Sequence, residues 1–231
     1  MARPGVTGGR RPPARDGVEA PVLPPELPVL DGELVEDGLE DGVEWEDGRL
    51  VDADLSAQEA ETAVLSRLDL GRVLLTGCQL PGTRITDARL TVCDLSGALL
   101  SGASLLRAEL HNCRMNGVIL SDARLRHVRF VDCRLEEANL RFCRLENVVF
   151  EECALAGADL SGATLDTVTF ERCDLRRLEL HRATMASTRL AGCELEGLRG
   201  ATRLGGATIT SDELMPLSLC LLAELRISLE D

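Results

Sequence analysis

The sequence predicts an all-β solenoid: a coil of four sides carrying one five-residue unit on each side. The first observation behind this is a period of five. From Leu50 to Leu195, 29 of 30 positions spaced by five are large apolar residues, with only Ala60 departing. The second is a small or apolar site two residues before each of these, as in Ala88, Cys93, Ala98, Ala103, Ala108 and Cys113. The three remaining residues of each unit are mostly polar, charged or glycine. Such spacing matches neither the 3.6-residue period of a helix nor the two-residue period of a strand, so both inward sites must recur on successive sides of a coil. The third observation is a longer period of 20, the length of one four-sided turn. Cys93, Cys113, Cys133, Cys153, Cys173 and Cys193 follow it without a break, and so do Phe130, Phe150 and Phe170, each with a valine two residues earlier.

Composition agrees with a narrow, regular interior. Apolar residues make up 45% of the 231-residue chain but aromatics only 2%, with no Tyr, four Phe and one Trp. Leu, Val, Ala and Cys must supply the volume that aromatics give an ordinary core. About 7.5 coils at the inter-strand spacing of ~4.8 Å make a rod roughly 36 Å long. Each coil buries its apolar face only against its neighbours.

The chain divides into four stretches. Residues 1–30 hold seven of the nine prolines together with Arg3, Arg10, Arg11 and Arg15, which predicts a disordered tail. Its arginines read as solvated, and no direct nucleic-acid binding is expected. Residues 31–49 form an acidic capping segment in which Asp-Gly pairs recur at Asp31, Asp37, Asp41 and Asp47, a turn-favouring dipeptide. There Val43 and Trp45, with Leu50 just beyond, are expected to cover the open end of the coil stack, bulk and negative charge blocking edge-to-edge pairing. Residues 50–209 are the rod, with a one-residue slip of the frame near Gly200. Residues 210–231 are expected to hold a helix and an end strand. Ser211, Asp212 and Glu213 read as an N-cap and acidic first turn, with a bend or restart at Pro216. Leu214, Leu217, Leu221, Leu222 and Leu225 exceed a single apolar stripe. They are candidates both for capping the coil and for pairing two copies of the chain.

Tandem blocks such as SGALL, SGASL, SDARL, AGADL and SGATL resemble the pentapeptide-repeat family over about 146 residues. The resemblance implies a right-handed quadrilateral β-helix; spacing alone argues only for four sides. It also implies a precedent for dimers joined through their C-terminal ends, and for members that bind DNA gyrase by presenting a DNA-like negative surface.

Chemistry is sparse. Stacked thiols ~4.8 Å apart and pointing in parallel suit neither a disulfide, whose Cβ atoms lie about 3.8 Å apart, nor the converging ligands of zinc. The cysteines therefore read as small buried hydrophobes. His111, His127 and His181 make no metal-spaced pair. No nucleophile set, phosphate loop or carboxylate pocket is found, so neither enzymatic activity nor a cofactor is expected. No apolar run reaches the ~20 residues of a membrane span. Arg10-Arg11 precedes Pro12-Pro13 rather than an apolar segment, and a cytoplasmic location is expected.

Net charge is −14, unevenly placed. Residues 1–65 carry 16 acids and five Arg, residues 66–200 carry 18 of each, and residues 201–231 carry five acids and two Arg. A neutral rod imitates regular phosphate charge poorly. Its C-terminal half offers the better acidic surface: Glu146, Glu151, Glu152, Asp159, Asp166, Glu171, Asp174 and Glu179. Leu99, Ile119, Phe142 and Val149 are outward apolar sites. Two readings follow, a non-enzymatic scaffold for an unidentified protein partner and, alternatively, a gyrase-binding DNA mimic.

Overall fold

A computed structural model describes residues 17–30 and 38–228. It is a parallel β-solenoid of about seven turns, closed at one end by a short helix. Each turn contributes one long strand: β1 (Glu44–Val51), β2 (Val64–Gly71), β3 (Arg84–Thr91), β4 (Ser104–His111), β5 (Arg124–Val131), β6 (Arg144–Glu151) and β7 (Thr164–Glu171). In the last turn this strand splits into β8 (Thr184–Ala186) and β9 (Arg189–Ala191), both paired to β7. Register follows the 20-residue period throughout, as in Leu70↔Leu90 and Phe130↔Phe150. The other two sides of each turn are joined by single parallel bridges at the same offset, such as Asp94↔Arg114 and Leu99↔Ile119.

The four corners are where the chain departs from extended backbone. Residues at positive φ recur every five positions, for example Asp87, Val92, Gly97 and Gly102. Glycine, Asn and Asp take this conformation at low cost, whereas a β-branched residue such as Val92 at φ 58° stores on the order of 1–3 kcal/mol. The corner sites thus explain why the non-apolar positions of each unit favour Gly, Asp and Asn.

Inside, the two inward sites of each unit meet without a gap. Leu120, Leu125, Leu135, Leu140 and Leu155 are wholly buried, as are Phe130 and Phe150. The phenylalanines stack in a column, with ring centroids 4.8 and 5.0 Å apart and planes 4–5° from parallel. Such a core tolerates few aromatics because its side chains meet their own kind one rung away.

The N-terminal end begins earlier than the sequence suggests. Pro28, Val29 and Leu30 lie one rung before β1: Val29 bridges Arg49, the Leu30 N–H donates to the Arg49 carbonyl and the Arg49 N–H donates to the Pro28 carbonyl, each at 2.8 Å. Leu30 stands 20 residues before Leu50 and packs against the core. Trp45 is buried opposite Leu65, and Leu39 is buried beside it in the same cluster. Where a disordered tail was expected over 1–30, residues 17–30 instead lie on the rod; Arg3, Arg10, Arg11 and Arg15 fall outside the described residues, as do Asp31 and Asp37.

At the far end the expected slip of one residue is present, since Arg189 bridges Thr208 rather than residue 209. A 3-10 turn, Ala201–Leu204, absorbs it. Helix α1 then spans Leu214–Leu225. Pro216 does not bend it, because the residue sits in the first turn, where backbone N–H groups have no partner within the helix. Residues 226–228, expected to lie near an end strand, form none; Arg226 in the left-handed conformation (φ 56°) closes the helix.

Candidate interaction surface

The end cap is built on Glu213. Its side chain is completely buried and points away from the helix. It accepts hydrogen bonds from the Cys193 N–H at 2.7 Å, the Thr210 N–H at 2.9 Å and the Thr210 hydroxyl at 2.6 Å. The carboxylate thus ties the last rung, at Cys193, to the residues that lead into the helix. Burial by itself would raise this carboxyl; the donors from Thr210 and Cys193 outweigh it and hold the group below the usual range.

The five leucines expected at this end separate into two groups. Leu217 and Leu221 pack on the core together with buried Cys220, and Leu222 is half-buried. Leu214 and Leu225 are exposed, and so are Met215, Leu219 and Ile227. Half of the exposed large apolar side chains in the described residues therefore cluster on one helix and its exit. Between helix and last turn runs an open groove of about 620 Å³, lined by Leu198, Gly200, Met215, Leu219, Cys220 and Ala223 among others.

The acidic candidates are brought into register but not into one strip. Glu146 pairs with Asp166 and Glu151 with Glu171 across β6 and β7, while Asp159 and Glu179 bridge on another side of the rod. Arginine then meets most of them. Arg172 contacts Glu151, Glu152 and Glu171. Arg126 lies 3.3 Å from Glu146, Arg176 2.6 Å from Asp174, Arg199 2.8 Å from Glu179 and Arg141 3.8 Å from Asp159. Asp166 accepts from the Thr167 hydroxyl. Many of these arginines sit one rung away, at an offset of 20 that could have been read from the sequence beside the Arg-over-Arg columns. Of the outward apolar sites, Phe142 is exposed beneath Arg141 (5.5 Å to the ring centroid), Leu99 and Ile119 are half-buried, and Val149 is buried between Arg129 and Thr169 in its column.

The cysteine column is internal. All nine cysteines are reduced and buried. Their thiols donate to carbonyls, as from Cys133 to Leu110 at 3.3 Å, and burial pushes the Cys143 thiol up to about 12. Among the described residues no group of three or more His, Cys, Asp or Glu converges as metal ligands would, and no helix is long and apolar enough to cross a membrane.

The profile described as a pentapeptide repeat region matches residues 83–160 and 129–199. Solved structures with similarity include HetL, a pentapeptide repeat protein involved in heterocyst differentiation regulation in the cyanobacterium Nostoc sp. strain PCC 7120. It is 22% identical, the match covering 75% of this chain and 90% of that one, with a TM-score of 0.30. Rfr23 from the cyanobacterium Cyanothece 51142 is 18% identical over 58% of this chain and 89% of that one, TM-score 0.35. Full-length QnrB1, a plasmid-mediated fluoroquinolone resistance protein, is 18% identical over 79% and 96%, TM-score 0.32. No curated protein matches the sequence.

Proposed function

The chain belongs to the pentapeptide-repeat family, and from that premise we propose that it is a non-enzymatic scaffold for protein–protein interaction which pairs with a second copy through helix α1. The observation carrying this reading is the exposed apolar face of Leu214, Met215, Leu219 and Leu225, on a helix whose opposite side is already spent on capping. A face of that kind marks an interaction site. The filled interior supports the non-enzymatic part, since a small-molecule site needs a concave pocket and the coil's inward positions are occupied by side chains.

The DNA-mimic reading receives less support. Mimicry calls for unpaired negative charge in regular array, and arginines meet seven of the eight acidic candidates. The protein is expected to leave gyrase supercoiling unchanged, with or without a quinolone. The scaffold reading is tested by light scattering at micromolar concentration: a dimer is expected for the native chain and a monomer for Leu214→Asp/Leu219→Asp. A native chain that is monomeric throughout would remove the pairing, and inhibition of supercoiling would restore the mimic.

A further inference from the structure

Residues 17–30 form a strap running down one corner of the rod, against the direction in which the coils grow. The Glu19 N–H donates to His127 Nδ1 (3.3 Å) on β5, the Val22 N–H to Asp87 Oδ1 (3.0 Å) on β3, and Leu30 pairs with Arg49 on β1. From β5 to β3 is two rungs, about 9.6 Å, and three extended residues span about 10 Å, so the strap crosses that stretch fully drawn out. A bend at Pro25 and Glu26 then brings the chain into the rung before β1.

The corner is shaped for this. Along it, side chains of opposite charge alternate one rung apart: Asp47 meets Arg67 at 2.7 Å, and Asp87 meets Arg107 through two bonds of 2.6 Å. Asp87 is only 7% exposed. Burial would raise its carboxyl, but Arg107 and the Val22 amide outweigh that and keep it below the usual range. At the lower end, Gly48 occupies an inward lattice site that other turns fill with Leu68, Ala88, Ala108, Val128 or Val148. A Cβ built there would overlap the Leu30 side chain. Gly48 is thus a socket, and Leu30 the knob that fills it.

The strap interleaves N–H donors to the track with prolines. The N–H groups of residues 19, 22 and 30 find acceptors, while prolines, which have no N–H, stand at 21, 24, 25 and 28. Val18 and Pro21 are buried. Recognition runs through backbone N–H groups and one leucine anchor, which any extended peptide of that pattern satisfies. The strap lies against the outside of the coil, and a segment so placed opens locally at lower cost than the fold unfolds.

We propose that this corner, from His127 through Asp87 to the Gly48 socket, is a docking track for an extended, proline-containing peptide of a partner protein with a leucine anchor, which residues 17–30 occupy in cis. Such a track would hold the peptide through its backbone N–H groups, met by side chains of two turns and by the Arg49 carbonyl, and would select it through the Gly48 socket. The partner's segment enters when the strap lifts.

The test uses the full chain carrying Leu30→Asp, which loosens the strap, and a labelled peptide of residues 17–30. The folded variant should bind the peptide saturably and at least tenfold more tightly than the native chain, whose track is filled. Adding Gly48→Leu should abolish binding. If Leu30→Asp does not fold, Leu30→Ala, which empties the Gly48 socket without burying a charge, serves instead. In the native chain the amides of Val22 and Leu30 should exchange hydrogen slowly. A folded, strap-loosened variant that binds no peptide, or binds it equally with Gly48→Leu, overturns the proposal. So do native Val22 and Leu30 amides that exchange as fast as in the free peptide.

Discussion

The two ends of the rod face one physical problem and solve it differently. A solenoid stops with a rung of unpaired N–H and C=O groups and an open core, both of which invite another strand. At the N-terminal end the chain returns to itself. It adds a partial rung through Pro28 and Leu30, fills the core with Trp45, and surrounds the first turn with charge: residues 38–62 hold nine acids and one arginine. At the C-terminal end a helix lies across the opening, and the carboxylate of Glu213 ties it to the Cys193 amide of the last rung. The first end is sealed by local chain and solvated by charge. The second is sealed by one buried polar group and leaves an apolar face behind. The first end is closed to further strands while its own segment stays in place, and the second keeps the apolar face through which pairing is proposed.

The comparison breaks most readily at the cores of the two caps. Trp45→Ala should cost about 3–5 kcal/mol and Leu217→Ala less than Leu/Ile→Ala values of about 2–5 kcal/mol, because Leu217 is only half-buried; urea unfolding midpoints measure both. Equal losses would mean that the helix seals its end as completely as Trp45 does.

A smaller effect is expected at Glu213. Replacing it with Ala strands the buried Cys193 and Thr210 N–H groups, which costs about 1–3 kcal/mol, and the Cys193 amide should lose its protection from hydrogen exchange. Acid should act on the same group. Its carboxyl titrates lower folded than unfolded, so the stability it contributes is fully present above the ordinary glutamate value of about 4.3 and is lost as pH falls through the lowered one. Helix α1 should therefore detach on acidification, seen as faster proteolysis after residue 210, and Glu213→Gln should flatten that dependence. The smallest effect belongs to the surface charge of the first turns. Arg72 and Asp52 make a close pair that solvent screens, and Arg72→Ala should leave the unfolding midpoint unchanged.

Much of this was legible because the lattice is one-dimensional. Once Leu50 and its successors are inward, the core up to Leu195 follows apart from off-lattice sites such as Val149, which is buried where the lattice points outward, and the cysteines become packing rather than chemistry. Arg67 over Asp47, Arg107 over Asp87 and Arg172 over Glu152 were equally readable, each 20 residues from its partner. Leu30 also lies on the lattice, and Gly48 is the only glycine among its small inward sites, but the prolines around Leu30 gave that segment the composition of a disordered tail. The acidic candidates were gathered by counting charge along segments, which could not show that a single arginine such as Arg172 would serve several of them.

The sequence by itself determined the coil, its four sides, its core and the one-residue slip near Gly200, because a five-residue period permits no other arrangement of inward side chains. The tertiary structure alone decided what happens where the period ends. Glu213 turns inward to accept from the amide 20 residues earlier, and residues 17–30 lie on the corner because acceptors from three different turns meet their N–H groups. Both depend on groups that the coil brings together from different turns, which no local pattern records.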